Sequence, residues 1–151
     1  MGKYFTVEEL CRSAKAKELK IDNTPDTVIK DNLEFLITRM LDPLRTLYGK
    51  SIFINSGYRC SELNRAILGS PTSRHQYGYC ADIDTRRGEN RMLADIIVLN
   101  RIPFRQMILY SSLDAPKWVH IDVSRIENKG QILLKKDGKY IDITGKYKIK
   151  I

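Results

Sequence analysis

Between positions 26 and 48, Val28, Leu33, Leu36, Ile37, Met40, Leu41, Leu44 and Leu47 recur at three- and four-residue steps. That period puts them on one side of an α-helix, and such a stripe has to be buried against another element. The second half of the chain supplies the partners as short runs rich in β-branched and aromatic residues: 51–55, 79–85, 107–110, 118–123, 131–135 and 140–143. Helices early and short strands late predict an α+β fold, with N-terminal helices packed on an antiparallel sheet.

Local signals refine this plan. Thr6 stands three residues before Glu9 and starts a helix over 6–15 by the capping-box pattern. The long helix covers 26–48, with Pro43 a predicted kink and Gly49 its stop. Further helices are expected over 61–67 and 89–100, and a terminal hairpin turns at Asp137-Gly138. With no repeat, low-complexity tract or linker, residues 1–151 read as a single small domain.

Composition excludes several classes. No apolar run approaches the ~20 residues of a membrane-spanning helix, so membrane insertion is not expected. The polar start, Met1 to Lys20, lacks a secretory signal, which predicts synthesis in the cytoplasm. Cys11, Cys60 and Cys80 form no CxxC pair and no disulfide framework, and read as reduced thiols. The 26 basic residues against 18 acidic ones give a net charge of +8, which favours an anionic partner. Without a nucleic-acid-binding motif, charge alone does not predict a nucleic-acid partner, and the bacterial wall is polyanionic too.

Only two histidines occur, and each sits in a distinctive segment. The first is Ser73-Arg-His75-Gln-Tyr-Gly78-Tyr-Cys80-Ala-Asp82-Ile-Asp84, and the second is Trp118-Val-His120-Ile-Asp122. On a strand, Asp82 and Asp84 share a face, as do Trp118, His120 and Asp122. Strands side by side would bring His120 to the Asp82 face, and a turn at Gly78 would fold His75 back over them. Two imidazoles and a carboxylate are a ligand set for zinc that leaves a fourth position open.

The first segment resembles the SxHxxGxAxD motif of zinc D-alanyl-D-alanine carboxypeptidases and dipeptidases, a pattern shared by phage L-alanyl-D-glutamate endopeptidases. Cys80 stands where that motif has alanine. Ser56-Gly-Tyr-Arg59 with Asn64 resembles the family's SGYRxxxxN block, and Trp118-Val-His120-Ile resembles its last ligand strand. The resemblance implies the small hedgehog/DD-peptidase-like α+β fold, with Zn2+ held by His75, Asp82 and His120. It implies that Arg59 contacts substrate and the developing oxyanion, and that Ser73 lies at the substrate-binding edge. Asp84 is expected beside a ligand imidazole.

The general base is the break in the pattern. Lys117 occupies the position where many relatives carry glutamate, and Leu109 and Tyr110 follow the strand after which others carry an acid. Asp114 is the expected replacement, with Asp122 a second candidate. The implied activity is a monomeric zinc metallopeptidase that hydrolyses peptidoglycan stem peptides, of D,D-carboxypeptidase or L,D-endopeptidase type. It would reach the wall after release, as phage lysins do, or as part of a virion. The alternative is a weakened or inactive zinc-binding, wall-binding module of the same fold.

Overall fold

The computed structural model describes residues 2–151. Six strands form one mixed, mostly antiparallel sheet: β1 (Phe53–Ser56), β2 (Cys80–Asp84), β3 (Gln106–Tyr110), β4 (Val119–Asp122), β5 (Gln131–Lys136) and β6 (Lys139–Asp142). Their order across the sheet is β1-β2-β4-β3-β5-β6. All pairs are antiparallel except β3 with β5, which run parallel. The one parallel pair arises because the chain crosses from β4 over the end of β3 before laying down β5, a step too long for a hairpin.

Six α-helices complete the fold: α1 (Val7–Cys11), α2 (Ala14–Glu18), α3 (Thr27–Leu36), α4 (Asp42–Tyr48), α5 (Ser61–Ala66) and α6 (Asn90–Leu99). The expected helix over 6–15 divides at Arg12, and Ser13 caps a second helix by accepting from the Ala16 N–H. The long helix is continuous but not uniform: a π turn, Ile37–Leu41, joins α3 to α4 immediately before Pro43. Proline has no N–H and crowds the carbonyl four residues back, so a wider turn relieves the clash without ending the helix. Gly49 stops it in the left-handed conformation, with φ of 80°.

The two faces of the sheet have opposite characters. Ala81, Ile83, Met107, Leu109, Val119, Ile121 and Ile132 point to one side and are buried against Leu33, Leu36, Ile37, Met40 and Leu41 of the long helix and Leu93, Ala94 and Ile97 of α6. Val28 and Leu47, expected in that stripe, are 68% and 50% exposed, and they lie in the first and last turns of the long helix. Cys80, Asp82, Ile108, His120 and Asp122 point to the other side by the two-residue alternation of a strand.

Gly78 links the 3₁₀ turn Arg74–Tyr77 to β2 with φ of +79°, and a Cβ there would meet the Ile29 carbonyl oxygen at 3.1 Å. Both the backbone conformation and the space demand glycine. Gly78→Ala is expected to lower stability by about 1–3 kcal/mol in urea unfolding, because the strain falls on packed backbone.

Candidate metal centre and cleft

Antiparallel pairing of β2 with β4 sets Asp82 directly opposite His120. The His120 Nδ1 lies 2.8 Å from Asp82 Oδ1. His75 arrives from the 3₁₀ turn above the sheet, with Nε2 3.4 Å from Asp82 Oδ2. Its other nitrogen, Nδ1, donates to the Gly57 carbonyl at 2.7 Å. That bond fixes the tautomer and leaves the Nε2 lone pair directed to the cluster, the usual support for a ligand imidazole. The two rings meet edge to face, 5.1 Å between centroids.

Burial alone would raise the Asp82 pKa, but the two neighbouring imidazoles, His120 before His75, outweigh it and hold the carboxyl well below the usual carboxylate range. The carboxylate is therefore ionised at neutral pH, as metal ligation requires. Cys80 joins this group: ligand atoms of His75, Cys80 and His120 all lie within 4.8 Å of one another. Its thiol is buried and pushed well above its ordinary pKa, first by desolvation and then by the Asp122 and Asp82 charges. Reading Cys80 as an ordinary thiol missed this placement. The signal was available, because a residue two before Asp82 on a strand shares its face. The donors are imidazole, carboxylate and thiol, a set suited to zinc.

The cluster lies in a cleft of about 680 Å³. Arg59 and Ser73 line it, and Arg59 Nη2 donates to the Ser73 hydroxyl at 3.1 Å. The Arg59 Nε and Trp118 Nε1 atoms are buried with no hydrogen-bond partner among the described residues. Trp118 stacks on Tyr110, 4.4 Å between centroids. Burial first, then the neighbouring Tyr140 and Asp82, raise the Tyr110 phenol above its ordinary pKa, so it stays neutral and cannot serve as a base at physiological pH.

A family model described as Peptidase M15 matches residues 3–122. The chain belongs to the peptidase M15 family. Members of this family are zinc-dependent peptidases, and the donor set at the floor of the cleft fits that metal. No curated protein matches the chain. The M15 match stops at Asp122, yet Leu133 and Tyr140 of the β5–β6 hairpin line the same cleft. In this M15 chain the terminal hairpin is a wall of the site.

Two expectations need correction. Asp114 does not line the cleft. Its exposed carboxylate pairs with Lys150 and, at 3.4 Å, with Arg91 of α6, on the side of the sheet away from His120. It fastens the chain's end, which is why proximity in sequence to His120 misled. Asp84 touches neither histidine; it accepts from the Arg86 N–H and from Asn90 Nδ2. The carbonyl of Gly57 takes the role expected of it. Asp122 does reach the cleft, but Arg74 Nε at 2.8 Å and Arg105 Nη2 at 2.5 Å occupy its two oxygens. Asp114→Ala is accordingly expected to leave bound zinc, measured by atomic emission, and any peptide cleavage unchanged. A loss of cleavage at full zinc content would return Asp114 to the reaction.

Proposed function

We propose that this M15 chain is a zinc peptidase that hydrolyses peptide bonds in bacterial peptidoglycan stem peptides, with His75, Asp82 and His120 as the metal ligands. One observation carries the reading: the Asp82 carboxylate sits between two imidazole nitrogens, at 2.8 and 3.4 Å, at the floor of an open cleft. When bound, zinc supplies a Lewis acid that polarises a scissile carbonyl and lowers the pKa of water to ~7. The chain's own groups do the rest. Arg59, which lines the cleft with the three ligands and is steadied by its bond to Ser73, is placed to donate to a developing oxyanion. Trp118 and Tyr110 form an aromatic wall for the peptide.

Both carboxylates that line the cleft, Asp82 and Asp122, are already engaged. A missing general base costs about 10²–10⁴-fold in rate, so turnover is expected to be slow. The net charge of +8 suits a polyanionic wall, reached after release from the cell or as part of a virion. Incubating purified wall with the zinc-loaded protein should release new amino and carboxyl termini, identified by mass spectrometry and abolished by a chelator. The fragment masses also report whether the bond is of carboxypeptidase or endopeptidase type. Tyr110→Glu, which returns an acid to the cleft, should raise turnover at least ~tenfold at unchanged zinc content. No gain would mean that proton transfer does not limit the reaction.

A second reading is favoured by Cys80. With the thiol as a fourth ligand the coordination shell would be closed, as in structural zinc sites, and the chain would bind wall peptides without cutting them. Cobalt substitution separates the two. A thiolate-to-cobalt charge-transfer band that Cys80→Ala removes supports the closed site, and its absence supports the open one.

A further inference from the structure

Asp122 is the most buried acid facing the cleft, with a side chain 1% exposed. It is satisfied by two cations rather than one. Arg74 donates Nε to Oδ1 at 2.8 Å and Nη2 to the Val123 carbonyl at 2.8 Å. Arg105 donates Nε and Nη2 to Oδ2, at 3.2 and 2.5 Å. One carboxylate beneath two guanidiniums leaves a net positive charge, and the arginine side chains remain 29% and 35% exposed where they line the cleft. Nη1 of each arginine has no partner among the described residues. The ring of Tyr79 lies 4.9 Å from the Arg74 guanidinium and further restricts it. Both cations are thus held in place before any ligand arrives, which reduces the ordering cost of binding an anion.

Their position along the sheet matters. His120 and Asp122 lie on the same face of β4, two residues apart, so the pair sits ~7 Å from the ligand imidazole along the strand. Trp118 and Tyr110 lie the same step away in the opposite direction. The cleft is therefore bipolar: an aromatic end, the metal ligands in the middle, and a cationic end floored by Gln106.

We infer that Arg74 and Arg105, clamped on Asp122, form a carboxylate-binding subsite that selects peptides carrying a free carboxylate about two residue steps from the scissile carbonyl. The position of that carbonyl rests on the peptidase reading above. Neither arginine belongs to the motif residues shared with the zinc carboxypeptidases. Arg74 is a variable position of SxH, and Arg105 precedes β3. A forked guanidinium matches a carboxylate in shape as well as charge, and such charge-assisted contacts are worth about one to two decades of affinity.

Isothermal titration of the zinc-loaded protein tests this with the stem pentapeptide L-Ala-γ-D-Glu-L-Lys-D-Ala-D-Ala and the same peptide with both α-carboxylates converted to carboxamides. The acid form should bind at least ~tenfold more tightly. Arg105→Gln, which leaves Asp122 paired with Arg74, should remove most of that preference, and Arg105→Lys should restore only part of it. In the unaltered protein, the Arg74 and Arg105 Nε–H resonances should shift with the acid peptide and stay still with the amide. Equal binding of the two peptides, a preference that survives Arg105→Gln, or unmoved arginine resonances would each overturn the subsite. Selective binding without new termini would remove the peptidase reading and leave the subsite standing. Cleavage of acid and amide alike would do the reverse.

Discussion

The structure depends on the two-residue alternation of β2 and β4. Ala81, Ile83, Val119 and Ile121 are drawn into the core because removing apolar surface from water is the main favourable term in folding. The residues between them, Asp82 and His120, are forced onto the opposite face, where they meet as direct cross-strand partners. A slip of one residue in this pairing would bury the carboxylate and imidazole among leucines and expose the core residues. The register that buries the core and the register that pairs Asp82 with His120 are thus the same register.

His75 is positioned by other means. It comes from a loop, which has no pleat to direct its side chain. The Gly57 carbonyl, the left-handed Gly78 and the Arg59 N–H bond to the His75 carbonyl at 3.0 Å hold that loop against the sheet. Arg59 and Gly57 come from the segment that leaves β1, which is anchored in turn by the Tyr58 N–H bond to the Leu10 carbonyl at 2.8 Å. The N-terminal helices therefore support the His75–Asp82–His120 cluster at a distance. Around that cluster, both carboxylates of the cleft are engaged: Asp82 between histidines and Asp122 beneath arginines. That arrangement favours binding and orientation, and it leaves neither carboxylate free to carry a proton.

Much of this could be read from residue order. The apolar stripe of the long helix, the stop at Gly49, the Asp137-Gly138 hairpin and the short strands all follow from local periodicity and turn chemistry, which act over a few residues. The motif spacing of His75, Asp82 and His120 pointed to one cluster for the same reason, since strand alternation is local. Residue order does not show what distant segments decide, such as the one parallel pairing of β3 with β5 and the exposure of Val28 and Leu47.

The sequence by itself determined the fold class, the two histidine-bearing segments and the lysine at position 117, because each is a matter of which residue stands at which interval. Only the tertiary structure decided which acids reach the cleft. Asp114 is eight positions behind Asp122 in the chain, yet one is fastened to Lys150 outside the cleft and the other lies under two arginines inside it. It also decided that Cys80 stands with the histidines and that Tyr140, far past the M15 match, walls the site. The physical reason is that a carboxylate or thiol acquires its role from the charges and burial around it, and those are supplied by segments that sequence distance does not order.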